Sequence, residues 1–391
     1  MNKKEISMTI KNSLKKILSL ILIFSIIFFN ISIGKVIAIE NDDNKSYIIT
    51  ENIEYDIKKY AESIFQKHLI ALIDAQEIKG NVSDYILGTP FKIYNVIKNT
   101  NSTCFPIIRN SKIVLILEVY GDKFNYLSSL SKSFSENLEI LLKNMQLKSK
   151  EFILLTDGIN LKAYDGENNI KLYEIYENEH NEKFLSKNDS VDLKNKNKLS
   201  LTDLTKKMNT HNVGINNISM FNYNPRDISL FSSISPYEGK TLNVKGVDQG
   251  NHPWCWAATT AAMINYYKNY SLTAKRIAEY VFPNNPEQGG NWANMKKAYN
   301  HWGLYPTHKG VIGFNTVAWN IDRNKPMHIR LKGHSVGLIG YQRWIPNYGG
   351  DRVLILLEPN GGVKKSVTLK NNNFYYSLGG GSNAWVYTIE F

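Results

Sequence analysis

Between Glu177 and about Asn224 the chain loses its apolar periodicity and is dominated by Asn, Lys, Asp and Ser, whereas hydrophobic patterning is ordered on either side. A stretch that cannot bury apolar surface cannot offset the entropy of ordering it, so it splits the chain into two segments that must each build a core. Residues 178–235 read as an exposed tether, part helix at Leu201–Met208. At 391 residues, 43% hydrophobic and 12% aromatic, the chain is long enough for two or three ordinary cores. Two cysteines cannot staple a disulfide scaffold, no Cys-x-x-Cys pair offers a zinc site, and the 25 glycines and 11 prolines form no periodic tract. No metal and no organic cofactor is implied.

Lys3, Lys4, Lys11, Lys15 and Lys16 precede an uncharged apolar run from Ile17 to Gly34, and the small residue Ala38 follows. That order is a secretory signal over residues 1–38, and Val36 and Ala38 favour cleavage over a retained anchor. A secreted protein is expected, with no stable membrane insertion after signal removal. Residues 1–38 hold six Lys against Glu5, a net +5, and residues 236–391 hold 17 Lys/Arg against 8 Asp/Glu, a net +9; from +12 overall this leaves −2 for residues 39–235. The basic charges of the last segment are scattered rather than gathered on one predicted helix, which suits attraction to anionic surfaces and argues against a nucleic-acid partner.

Residues 39–177 read as a small α+β domain. Ile57, Ala61, Ile64, Phe65, Leu69 and Leu72 have helical spacing, and Gly88-Thr89-Pro90 is a turn. Phe91–Val96, Ile113–Tyr120, Phe152–Thr156 and Leu172–Tyr176 have the β-branched and aromatic look of strands, and Tyr126–Met145 reads as an amphipathic helix between them.

Residues 236–391 carry the chemistry. After Pro253 the alanine-rich stretch Trp254–Asn269 is expected to be helical, which puts Cys255 in the first turn. There the helix dipole and unpaired amides favour a thiolate, the form that attacks carbonyls; the bland alternative is a small buried cysteine. Gln249, six residues upstream, could join the Cys255 backbone amide as a two-donor oxyanion hole. A thiolate needs an imidazole beside it. Gly333-His-Ser-Val-Gly-Leu-Ile-Gly-Tyr341 reads as a strand entered from a glycine with His334 at its accessible end. His252 sits on the same turn as the thiol, and His301, His308 and His328 lie in contexts with no paired feature. The strand Arg352–Leu357 runs into Glu358-Pro359-Asn360, so Glu358 could fix the imidazole tautomer, with Asn360 as the alternative third residue. Trp292, Trp302, Trp319 and Trp344 stay unassigned between core and groove.

Gln249, then Cys255 in Trp-Cys-Trp-Ala, then Gly-His334-Ser-Val-Gly, then Glu358 before proline, together resemble the papain-like cysteine peptidases over about residues 240–391. The likeness is to the short secreted bacterial branch typified by the staphopains, with the domains that trim bacteriocin leaders more distant. The resemblance implies a helix packed on an antiparallel half-barrel. It also implies Cys255 as nucleophile, His334 as base, Gln249 as oxyanion donor and Glu358 at the third position, where staphopain-like enzymes carry Asn and leader peptidases Asp. It further implies a zymogen in which residues 39–177, including Leu87–Tyr94, form an inhibitory propeptide. Protein or peptide substrates and an intramolecular propeptide are the expected partners. A cell-wall amidase or endopeptidase with the same Cys-His site, and a catalytically idle binding or toxin protein, are the alternatives.

Overall fold

The computed structural model describes residues 46–122, 125–132, 134–144, 151–158, 160–167, 169–174, 196–208, 235–376 and 384–391. The signal segment 1–38 and most of residues 178–235 lie outside them. In the first half the elements are β1 (Tyr47–Glu51), α1 (Tyr55–Asp74), β2 (Ile86–Leu87), β3 (Phe91–Asn95), β4 (Thr100–Arg109), β5 (Lys112–Tyr120), β6 (Leu127–Ser131), α2 (Ser135–Asn144), β7 (Glu151–Thr156), β8 (Asn160–Tyr164), β9 (Asn169–Glu174), β10 (Lys196–Leu199) and α3 (Leu201–Leu204). The second half has β11 (Tyr237–Thr241), α4 (Cys255–Lys268), α5 (Ala274–Val281), α6 (Trp292–His301), β12 (Thr307–Lys309), α7 (Phe314–Asp322), β13 (Met327–Leu331), β14 (His334–Trp344), β15 (Arg352–Glu358), β16 (Val363–Lys370), β17 (Asn373–Phe374) and β18 (Trp385–Glu390). The fold is mixed, with helices on a large and mainly antiparallel sheet.

The apolar stripe of α1 buries Ala61, Ile64, Leu69 and Leu72 as its spacing dictates. β4 and β5 meet at Asn110-Ser111, both at positive φ (52° and 61°), the tight primed turn that matches strand twist. The strand β4 escapes a sequence reading because Pro106 lies inside it. Three expectations are corrected. Tyr126–Met145 is not one helix, since Leu127–Ser131 is strand β6 and only Ser135–Asn144 is helical. Cross-strand partners far away in sequence override the local pattern there. Second, Lys196–Met208 is not exposed tether: β10 pairs antiparallel with β1, and Leu204 and Met208 are buried. Third, the helix expected over Leu201–Met208 covers only Leu201–Leu204. The Ser200 and Asp203 capping box starts it, and the bridge between Gly88 and Lys207 draws the later backbone into extended pairing.

β14 is the axis of the second half. Its first residues pair with β13, its later ones with β11, and β15 runs antiparallel along its other edge. β15 pairs with β16, and the free edge of β16 takes β6 of the first half, with Ser366 opposite Leu130 and Val367 opposite Ser129. The two halves therefore share one sheet. They also share a core, in which Leu69 and Leu72 of α1 join Ile355 and Val367, while a second cluster that includes Phe91, Phe134 and Phe152 lies wholly in the first half. α1 lies over β15 and β16. Along it His68 bridges Ser366 of β16 (2.8 Å) and Ser128 of β6 (2.9 Å), Asp74 accepts from Tyr237 (2.6 Å) and Gln342 (2.9 Å), and Lys67 donates to the Tyr348 carbonyl (2.6 Å) and pairs with Asp351.

Candidate active site

Cys255 is the first residue of α4, and Trp254 at the helix cap offers no side-chain acceptor, so the first-turn amides are left for the thiol and whatever approaches it. Ala257, Ala258, Ala261 and Ala262 are all buried, and this small-residue face lets the helix lie close to β14. Gly337 marks the contact: a Cβ there would stand 3.0 Å from Met263 Cε and 3.1 Å from Leu357 Cβ. The Thr259 hydroxyl donates to the Ser335 carbonyl (3.2 Å), fixing the helix start beside His334. The flanking tryptophans act as bolts. Trp254 Nε1 donates to Pro286 O (2.7 Å) and Trp256 Nε1 to Gln288 O (3.1 Å). A Cβ at Gly290 would meet the Trp256 ring at 2.3 Å, so only glycine fits under it.

His334 opens β14 after Gly333, whose φ of 79° needs the freedom of glycine. Its Nε2 lies 3.0 Å from Glu358 Oε1. Nδ1 is buried without a hydrogen-bond partner, and Cys255 is a group whose charge couples to the ring. Glu358 ends β15, buried, with Asn360 N–H donating to Oε1 (3.0 Å) and the Tyr376 hydroxyl donating to Oε2. Of the two candidates for the third position, the carboxylate of Glu358 meets the imidazole and Asn360 contributes its backbone.

Burial disfavours charge on all three groups, yet mutual attraction wins at each. Burial pushes the Cys255 thiol up, but the His334 charge, then Arg330 and the Ser335 backbone, bring it below its ordinary value. Burial pushes His334 down, and Glu358 and Cys255 together raise it to about 10. Glu358 is held below the usual carboxylate range, against burial, by His334, Lys365 and the Asn360 amide. Each shift favours the charged form, so the row leans toward thiolate, imidazolium and carboxylate, the set that attacks a carbonyl and donates a proton.

Gln249 is buried at 2% exposure and tied to the same turn: its N–H donates to Pro359 O (2.9 Å), and its Nε2 donates to His252 O (3.1 Å), leaving a second amide hydrogen available. Asp248 Oδ1 accepts from Gly250 (3.0 Å) and Gly361 (2.9 Å). Gly246 passes so near Gly362 that a Cβ would stand 1.9 Å from its carbonyl oxygen. Among the described residues the other histidines of this half are engaged elsewhere: His252 with Glu287 (2.9 Å) and stacked on Trp254, His301 on Tyr280, His308 between Trp292 and Tyr387, and buried His328 on the Tyr299 hydroxyl (2.8 Å). Sequence reasoning missed Arg330, which donates to Ser335 Oγ (3.0 Å), and Tyr376 and Lys365 around Glu358. Only strand register brings these residues in, and no spacing rule signals it. Among the described residues no group of three or more His, Cys, Asp or Glu side chains is arranged to hold a metal ion.

No curated protein matches the chain. Among solved structures it is similar to the crystal structure of UfSP from C. elegans, at 11% identity and a TM-score of 0.26, covering 42% of this chain and 35% of that one. It therefore spans about a third of that protein's length. Residues 241–381, which include Gln249, Cys255, His334 and Glu358, match the family described as Peptidase_C39 like family. That match, on a segment with a buried Cys-His-Glu row, supports a cysteine peptidase in general terms.

Proposed function

We propose that the chain is a secreted cysteine endopeptidase made as a zymogen. Residues 1–38 are its signal, the N-terminal half its inhibitory propeptide, and residues 236–391 a papain-like catalytic domain in which α4 packs on an antiparallel half-barrel centred on β14. The observation that carries the reading is the buried row from Cys255 through His334 to Glu358, with the thiol held low and the imidazole pushed up to about 10. In this reading the thiolate attacks the scissile carbonyl carbon as the C=O electron pair moves to oxygen. The Cys255 N–H and Gln249 Nε2 hold that oxyanion. The carbonyl re-forms, the C–N bond breaks, and His334 gives its proton to the departing amine. Water then loses a proton to neutral His334 and attacks the thioester, releasing the acid and restoring the ion pair.

Latency is supported by exposures of 4% at Cys255 and 0% at His334 in the full chain. A cut between Met208 and Ser235 would break the covalent link between the halves. The test is casein hydrolysis and labelling by a thiol-directed epoxide before and after limited proteolysis, with Cys255→Ala as control. Hydrolysis that appears with cleavage and is absent in Cys255→Ala supports the reading. Clearing of peptidoglycan without casein hydrolysis assigns the site to a cell-wall amidase or endopeptidase, and no labelling of Cys255 in the cleaved protein leaves an idle binding protein.

A further inference from the structure

Two adjacent tyrosines just beyond β17 face opposite ways, and each completes a buried polar site in a different half. Tyr376, 1% exposed, donates its hydroxyl to Glu358 Oε2, and its ring lies 5.6 Å from that of His334. Its carbonyl accepts from the buried ammonium of Lys365 (2.9 Å), which also sits 4.3 Å from the centre of the Tyr376 ring. Tyr375 instead reaches into the N-terminal half. Its hydroxyl donates to Glu118 of β5 (2.6 Å), a carboxylate that also accepts from Ser102 (2.5 Å), and its ring stacks on Tyr120 at 4.9 Å and 19°. One peptide bond joins the two side chains, so a shift of one backbone position moves both.

The geometry points to Tyr376 as a positioning residue that turns the Glu358 carboxylate toward His334, and to Tyr375, gripped by Glu118 and Tyr120, as the contact through which the N-terminal half sets Tyr376. This rests on the reading of Glu358 as the partner of His334 in a cysteine peptidase. A carboxylate has two oxygens and rotates about its last bond. His334 and the Asn360 amide hold Oε1, and Tyr376 is the group that pins Oε2. Two donors on opposite oxygens fix that rotation, whereas donors on one oxygen leave it softer. Buried Lys365 is attracted to both Glu358 and Glu118, so the grip on Tyr375 and the set of Tyr376 are linked through one buried amine.

The experiment is a pH titration of the His334 ring by NMR in the full chain labelled at histidine, with His334 assigned as the resonance absent from His334→Gln. Tyr376→Phe should lower the His334 midpoint by at least about half a pH unit, because a loosened carboxylate spends less time at the imidazolium. Tyr375→Phe should shift it in the same direction, and the double variant should shift it no further than Tyr376→Phe alone. An unchanged midpoint in a folded Tyr376→Phe protein overturns the positioning role. Additive shifts overturn the coupling, since the two tyrosines would then act separately. If Tyr376→Phe does not fold, Tyr375→Phe carries the test, and an unmoved midpoint there overturns the inference. The readout is the ring itself. A chain that never hydrolyses peptides thus refutes the peptidase reading while leaving the titration result intact, and an active peptidase with an unmoved midpoint refutes only this inference.

Discussion

Replacing Glu358 by Gln keeps the shape and an acceptor for His334 Nε2 but removes the negative charge 3.0 Å from it. At an effective dielectric near 20, unit charges about 4 Å apart attract by about 4 kcal/mol. One pH unit is about 1.4 kcal/mol, so attraction on this scale raises the imidazole by about 3 units, and paired groups of this kind shift by about 1–3. The His334 midpoint, pushed up to about 10 in the native chain, should therefore fall to about 7–9 in Glu358→Gln. The sign follows from which form is favoured. The thiolate–imidazolium pair persists until His334 loses its proton, so a lower midpoint brings the alkaline limb of activity down by the same amount. Cys255 also raises His334, and a parallel titration of Cys255→Ala separates its share. Cys104, buried and pushed well above the ordinary thiol value, stays protonated and does not confuse the titration. A midpoint in Glu358→Gln within about half a unit of the parent would refute the electrostatic role of Glu358.

Gln249→Ala should lower kcat by about 10²–10³ with KM little changed, the loss of one oxyanion donor, read by steady-state kinetics on the activated enzyme. Gly246→Ala places a Cβ 1.9 Å from a backbone oxygen that cannot step aside, so it should cost about 1–3 kcal/mol in chemical denaturation, whereas Gly310→Ala, with nothing within 4 Å, should leave stability near the parent's. His68 is pushed down to about 3, first by burial and then by Lys67, whereas the separated or unfolded chain takes up its proton near the ordinary 6.5. Its contribution is present above pH 6.5 and fades as pH falls toward 3, by about 2 kcal/mol between pH 6.5 and 5. Buried His328, also near 3, adds a similar slope, so His68→Asn should remove about half of the acid loss seen in urea unfolding at pH 7 and pH 5; an undiminished slope would sink the assignment.

What the sequence made legible was chemistry carried by local order. Proline before an alanine-rich run starts α4 at Cys255, a glycine at positive φ admits His334 to β14, and an apolar run ending before Pro359 leaves Glu358 at a strand end. Each signal lies within a few residues. What stayed hidden depends on register between distant strands. Nothing near Leu127–Ser131 announces that the Ser128 N–H will donate to Thr368, 240 residues away, and its serines and leucines fit a helix as readily as a strand. Lys365 and Glu118 look like ordinary surface charges in sequence and become interior only because the two halves share a core.

The pairing of β6 with β16 also determines what separation of the halves would leave behind. A strand stripped of its neighbour presents a ladder of unpaired N–H and C=O groups, the template on which copies of a protein stick together. Ser366, Val367 and Thr368, at the heart of that ladder, carry nothing to repel a second copy. Lys364 does, but in the full chain its ammonium is spent on the Ala75 carbonyl and its amide on Glu77 (3.1 Å). Under the proposed release, departure of the N-terminal half would free that lysine at the moment the edge is bared, so the half would serve as a cover against self-association and one freed lysine would replace it.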